Sequence, residues 1–184
     1  MKKAKKLNLG AGTDIRVGFI NHDILGLDGI DVIHDLEVFP WPWSDESVEL
    51  IVAKDVIEHL GDFVKTMEEL HRLLEKGGLV QLKVPYWNSH SAVADPTHKN
   101  RFHEITFQFF DPNTVYCKDR PYYTTARFEI VRESFVLAPF RPYLPLPFAG
   151  EIRVSSRFWK RIIGFVGNTL SNIILDLELE IRKV

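Results

Sequence analysis

The 184-residue chain predicts an α/β domain built on a mostly parallel, seven-stranded sheet with an antiparallel last strand. Three observations carry the prediction. Short apolar runs stop repeatedly at glycine or at a carboxylate, first at Leu7-Asn8-Leu9-Gly10-Ala11-Gly12, and runs of this length read as buried strands. An amphipathic helical stretch separates two of these runs, as a parallel crossover requires. Near the end, Leu177-Glu178-Leu179-Glu180-Ile181-Arg182 alternates strictly, the pattern of a half-exposed antiparallel strand.

Composition narrows the class. With 45% hydrophobic and 26% charged residues, the chain reads as a soluble globular domain with a real core. A net charge of -2 gives no global attraction to nucleic acid, so no nucleic-acid partner is expected. Cys117 is the only cysteine, which excludes an internal disulfide and a multi-cysteine zinc site and suits a reducing cytoplasm. The basic start, Met1 to Lys6, leads into no secretory apolar region, and no apolar run reaches the ~18–20 residues of a membrane span. A cytoplasmic, single domain over 1–184 is expected.

The elements follow in order. The glycines after Leu9 let the backbone turn sharply and let a ligand approach, because no Cβ intervenes. In open α/β sheets, ligands bind beyond the carboxyl ends of the strands. Phe19 to His22 reads as the second strand, ending at Asp23, whose two oxygens can accept both hydroxyls of a ribose. Only Thr13 to Val17 lies between the first turn and this strand. A parallel crossover usually needs about ten residues or more, so either the first helix is cut to a turn or the strand is misplaced. Asp31 to Asp35 is the third strand, again ending in a carboxylate, and the Pro- and Trp-rich stretch Leu36 to Trp43 is a loop. Val48 to Ala53 is the fourth, with Lys54-Asp55 at its mouth and Val56 to Leu60 as a helical turn. Asp62 caps a helix whose stripe is Phe63, Val64, Met67, Leu70 and Leu74, and Gly77-Gly78 ends it. Leu79 to Val84 is the fifth strand.

Residues 86–112 lose all periodicity until Ile105 and hold His90, Asp95, His98, His103 and Glu104 among aromatics, the makeup of a substrate loop. Arg127 to Leu137 is the sixth strand. Pro139 to Pro147 is an extended connector or lid. Over 154–175, Phe158, Ile162, Phe165, Val166, Thr169 and Ile173 share a helical face.

The motifs at residues 5–85 together resemble the class I S-adenosylmethionine-dependent methyltransferases, in their small-molecule branch of the type 11 kind. Asn8-Leu9-Gly10-Ala11-Gly12 resembles the first motif of that family, and Phe19 to Asp23 the strand ending in its ribose-binding acid. His34-Asp35-Leu36 with Phe39-Pro40 resembles the segment that reaches adenine. Asp55-Val56-Ile57-Glu58-His59-Leu60 is similar to the "xVLEHL" turn, and Leu73 to Val80 to the stretch that runs through "PGG". Two departures stand out: Asn8 occupies a position that is usually acidic, and the third glycine is absent, with Asp14 near its place.

The resemblance implies a Rossmann-like three-layer sandwich with a shortened first helix, and S-adenosyl-L-methionine as cofactor. It implies a methyltransferase acting on a small-molecule substrate. Asn8, Leu9 and the backbone of Gly10, Ala11 and Gly12 then lie against the methionyl and ribose part. Asp23, with Ile24 beside it, takes the ribose hydroxyls. Asp35 accepts from the adenine amino group with Leu36 on the ring, and Lys54 and Asp55 lie near the sulfonium. Since methyl transfer depends mainly on alignment and exclusion of water, a dedicated base is optional. His59, His98 and His103 are the candidate catalytic bases; the competing reading makes His59 a packed turn residue and the other two surface residues. His90, Asp95, His98 and His103 match no named zinc spacing, so no metal is expected.

Alternatives stay open at this point. A binding module that keeps the fold without catalysis, or a partner subunit, fits the same motifs. An NAD-binding oxidoreductase shares the glycine turn, but Ile15 stands where its third glycine belongs. Around 153–170, Arg153, Arg157, Lys160 and Arg161 beside Phe158 and Trp159 fit a peripheral membrane contact, but a lid helix over the site or a homodimer contact is the favoured reading.

Overall fold

The computed structural model describes residues 5–137 and 151–184, so the proline-rich connector at 139–147 lies outside the described residues. In chain order the elements are β1 (Lys5–Leu9), β2 (Ile20–Asp23), β3 (Val32–Ile33), β4 (Val48–Lys54), a 3-10 turn (Ile57–His59), α1 (Phe63–Leu73), β5 (Leu74–Pro85), three five-residue helices α2 (His90–Ala94), α3 (Glu104–Gln108) and α4 (Val115–Asp119), β6 (Phe128–Leu137), β7 (Ile152–Val154), α5 (Arg157–Thr169) and β8 (Asp176–Lys183). They form one sheet in the order β3-β2-β1-β4-β5-β8-β6-β7. The first five strands are mutually parallel, and β8 runs antiparallel between β5 and β6.

The expected α/β class holds, with a mostly parallel first half and an antiparallel last strand, but among the described residues the sheet has eight strands rather than seven. The added strand is β7, three residues that pair antiparallel with Phe135 to Leu137 at the edge. Three residues are too few to show a period, and the helix read from 154 starts only at Arg157.

No helix separates β1 from β2; residues 10–19 are turns and irregular backbone. Buried Asn8 explains how so short a crossover holds. Its Nδ2 donates to the Asp14 carbonyl at 2.7 Å and to Asn21 Oδ1 at 3.0 Å, and Asn21 Oδ1 also accepts from Arg16 N at 2.9 Å. A network of side-chain amides thus replaces a helix's own hydrogen bonds.

The loop after β3 is pinned rather than free. Trp41 and Trp43 are buried, and Trp41 Nε1 donates to the Leu36 carbonyl. From α1, Arg72 donates to the carbonyls of Trp41 and Trp43 and to Asp45 and Glu69.

Asp62 caps α1 as expected, its Oδ1 accepting from Lys65 N at 2.9 Å. The helix does not run to Gly77-Gly78. It ends at Leu73, and Leu74 is already extended and begins β5. Pairing with β4 passes from Val48↔Leu74 to Leu50↔Leu79, so Glu75 to Gly78 bulge out, with Gly77 at φ +79°. The buried face of α1 is Thr66, Met67, Glu69, Leu70 and Leu73, while Val64 is exposed. Burying Leu70 and Met67 stabilises the helix by about 1.5–3 kcal/mol each, which outweighs its modest intrinsic propensity.

The aromatics of the insertion are core, not substrate lining. Phe102, Phe107 and Phe110 are buried and pack edge-on against Phe63, with ring centroids 5.0–5.7 Å away. Strand β8 lies inside the sheet between β5 and β6 and keeps the expected alternation, with Leu177, Leu179 and Ile181 buried and Glu178, Glu180 and Arg182 partly exposed on the other face. Its polar residues are paired: Glu180 accepts from Gln81, Glu178 from Arg153, and Arg182 pairs with Glu129.

The late helix departs furthest from expectation. Only Gly164 and Gly167 of α5 are buried, against Phe135 and Ile174, while Phe158, Trp159, Ile162 and Phe165 stand exposed. Glycine allows that close approach, so the apolar stripe faces away from the protein instead of covering a cavity. Among the described residues, no helix is long and apolar enough to cross a membrane.

Candidate active site

A cavity of about 460 Å³ opens beyond the carboxyl ends of β1, β2, β3 and β4, within the range of roughly 300–1,000 Å³ for small-molecule sites. Gly10, His22, Asp23, Ile24, Asp35 and Leu36 line one end; Asp55, Val56, His59 and Leu60 line the other.

Gly10 forms the floor at φ +58°, and a Cβ there would run into the Val56 side chain. Bare backbone is therefore built into the cavity wall. Asp23 is fixed from both sides: its Oδ2 accepts from Gly12 N at 2.8 Å and its Oδ1 from Leu25 N at 3.0 Å. Each oxygen keeps lone-pair capacity for a further donor. Asp35 Oδ1 accepts from Glu37 N at 2.9 Å, and Leu36 is buried beside it.

Beneath the two acids lies His22, buried and held below its ordinary pKa by that burial. Gly10 N donates to His22 Nδ1 at 3.5 Å, and His22 Nε2 lies 2.9 Å from the His34 carbonyl. These partners assign the proton to Nε2 and keep the ring neutral. Asp55 adopts φ +55°, a conformation that Asp tolerates better than most residues. Its Oδ2 lies 3.4 Å from Lys83 Nζ, which also pairs with buried Asp176 at 3.1 Å.

Glu37 straps the cavity's rim to the insertion. Its Oε1 accepts from Lys99 Nζ and from Gly61 N, and the Lys99 ammonium holds its carboxyl below the usual range. The insertion is tied to the 3-10 turn as well, since Lys99 N and Asn100 N both donate to the Glu58 carbonyl, at 2.8 and 3.0 Å.

The structure thus brings Gly10, Asp23, Ile24, Asp35, Leu36, Asp55 and His59 to one cavity. Asn8 and Leu9 are buried in β1 behind it, and the Asn8 amide is committed to the sheet. Ala11 N bonds the His22 carbonyl, and Gly12 supports Asp23. Lys54 lines a separate hollow with Gln81, Lys83 and Arg132, not this cavity. His103 is away from the cavity too: it caps α3 through Ile105 N and reaches Asn168 on the α5 side at 3.0 Å. His98 does not line the cavity but packs edge-on against His59, ring centroids 4.7 Å apart.

Sequence reasoning passed over His22, His34, Glu37 and Lys99. The first two carried a signal, because β2 and the turn after β3 both close in His-Asp. The Glu37–Lys99 pair spans 62 positions and left none.

Comparison with known proteins agrees with this geometry. Residues 8–82 match the family model described as "Methyltransferase domain". Over 72 residues the chain is 35% identical to dimethylglycine N-methyltransferase of Parasynechococcus marenigrum (strain WH8102). That match covers 39% of the chain and 25% of the relative, so the chain spans about a quarter of that relative's length. Among solved structures, a SAM-dependent methyltransferase from Thermotoga maritima aligns over 100% of this chain and 84% of its own, with TM-score 0.61 and 14% identity. One from Archaeoglobus fulgidus covers 99% and 87%, with TM-score 0.56 and 18% identity. The fold is that of the class I S-adenosylmethionine-dependent methyltransferases. Residues 8–82 are similar to a methyltransferase domain, and S-adenosyl-L-methionine is the cofactor that this likeness and the fold imply.

Proposed function

We propose that the chain is an S-adenosylmethionine-dependent methyltransferase acting on a small-molecule acceptor. One observation carries the reading: Asp23, at the end of β2, and Asp35, just past β3, follow neighbouring parallel strands and line the same cavity as the bare backbone of Gly10. Asp23 would accept the two ribose hydroxyls and Asp35 the adenine amino group, with Leu36 against the ring. Gly10 would give way to the methionyl chain. When bound, the cofactor supplies an electrophilic methyl group on sulfonium. The protein's work is to hold the acceptor in line with it and keep water away. His59 closes the acceptor end. Burial and the neighbouring His98 hold its imidazole below the ordinary pKa, so it is neutral and able to take a proton at neutral pH.

The dinucleotide alternative loses support from the same geometry. A pyrophosphate is held at a helix N-terminus following the glycine turn, and residues 10–19 form turns and irregular backbone without a helix. A small acceptor fits a cavity of this size, and the relative's name, dimethylglycine N-methyltransferase, points the same way. A cytoplasmic setting fits the lone, buried Cys117.

Calorimetric titration with S-adenosylmethionine and with NAD tests the cofactor: the first is expected to bind and the second not, and the reverse would overturn the reading. Incubation with labelled methyl donor and metabolite pools tests catalysis. Donor binding without transfer to any pool would favour a non-catalytic module.

A further inference from the structure

The 3-10 turn after β4 and the insertion bring together three groups that donor binding leaves unused. One ligand atom each from Glu58, His59 and His98 lies within 4.8 Å of the other two. Glu58 is 1% exposed, and neither of its carboxylate oxygens has a hydrogen-bond partner. Its one ionic neighbour within 4.0 Å among the described residues is His98, at that limit. His98 Nδ1 is likewise buried and unpartnered. Burying a carboxylate with nothing to satisfy it is among the costlier things a fold does, and here the orphaned acid sits beside two imidazoles.

The third group is already oriented. The Thr97 hydroxyl has one proton, and it lies 2.6 Å from Asp95 Oδ1 and 2.9 Å from His59 Nδ1. The carboxylate can only accept, so the hydroxyl donates to Asp95 and accepts from His59 Nδ1–H. That leaves the His59 lone pair on Nε2. A carboxylate acting through a hydroxyl to fix the tautomer of a ring is the outer-shell arrangement that orients metal-bound histidines. The peptide of Glu58 is itself anchored by Lys99 N and Asn100 N.

We propose that Glu58, His59 and His98 form a binding site for a divalent first-row transition ion. Two imidazoles and one carboxylate suit zinc, manganese, iron or cobalt, and leave coordination positions open. With metal–ligand bonds of about 2.0–2.2 Å, tetrahedral ligand atoms lie about 3.3–3.6 Å apart, so the three side chains draw together by up to about 1.5 Å on binding. Because His59 also lines the cavity, the ion lies in the wall shared with it, where an open position can take an acceptor's oxygen or amine; with the ion bound, the His59 lone pair is a ligand and the ion takes over from the ring the task of activating the acceptor. Ion binding stands independently of methyl transfer; only that last use rests on the proposed function.

The test uses the full chain, stripped by chelator and titrated with Co²⁺ alone, followed by visible d–d absorption and calorimetry. One equivalent is expected to bind, to be displaced by Zn²⁺, and to weaken at least tenfold in Glu58→Gln and in His98→Ala. Thr97→Val, which frees the His59 tautomer, is expected to weaken it by a smaller factor. Cooperative thermal unfolding of each variant reports folding without reference to any donor. Zinc-soaked crystals of the unaltered chain, located by anomalous scattering, supply the check that needs no variant. Absence of stoichiometric binding, binding indifferent to both ligand substitutions, or anomalous signal away from Glu58 would overturn the site. Failure of donor binding with cobalt binding intact would overturn the methyl-transfer reading alone.

Discussion

The side-chain amide of Asn8 donates to Asn21 Oδ1 at 3.0 Å across the first two parallel strands, and both residues are buried. The position is usually acidic in the family that the sequence resembles, and the structure gives a reason for the exchange. With no helix between β1 and β2, the crossover needs a donor at this point, and a carboxylate has none. Asn8→Asp would set its charge against Asn21 Oδ1 and the Asp14 carbonyl. A loss of about 2–3 kcal/mol is expected, read as a lower urea midpoint at unchanged slope.

Asp23 holds the Gly12 turn as well as facing the cavity. Asp23→Ala is expected to weaken S-adenosylmethionine binding by about 1–3 kcal/mol through lost charge-assisted bonds. Asp23→Asn, which keeps one acceptor oxygen, should lose less. Calorimetry of the two side by side checks this, and equal affinity across all three proteins would count against the ribose assignment.

Gly10→Ala faces two separate penalties, a left-handed φ and a collision with Val56. Together they are expected to cost about 1–3 kcal/mol in stability. Adding Val56→Ala relieves the collision but not the backbone, so the double variant should recover part of the loss. Thermal unfolding of both variants separates the contributions.

Stability should depend on pH through Glu58, whose carboxyl burial pushes up to about 7 from an ordinary 4.5. Between those values the unfolded chain has released a proton that the folded chain still holds. The contribution is therefore fully present below about pH 4.5 and is lost as pH rises to about 7, a change of about 3 kcal/mol. Denaturant titrations in chelator should show that fall in the parent protein and its absence in Glu58→Gln; parallel curves would refute it.

Much of the architecture was legible because it rests on local signals. The runs ending at Gly10, Asp23 and Lys54 gave β1, β2 and β4, and the Asp62 cap gave the start of α1. The same signals placed Asp23, Asp35 and His59 near one another, since parallel strand tips meet at one edge of the sheet. What escaped was settled by packing. Gly77-Gly78 looks like a helix end, yet the strand pairing of Leu74 with Val48 closes α1 earlier. Phe102, Phe107 and Phe110 look like a substrate surface, yet Phe63 draws them into the core. The exposed stripe of α5 is indistinguishable by period from a buried one, and only the glycines packed on Phe135 and Ile174 reveal which side faces inward. The Glu58 cluster joins residues some forty positions apart, and no spacing rule spans that distance.

Arg72 has one more implication. A single guanidinium on α1 grips the Trp41 carbonyl, 31 positions upstream, and through that loop steadies the run that presents Asp35, Leu36 and Glu37. The wall proposed for the adenine base therefore borrows its rigidity from a helix that contributes no residue to the cavity. Loosening that remote anchor would blur nucleobase discrimination while every residue touching the base stayed in place.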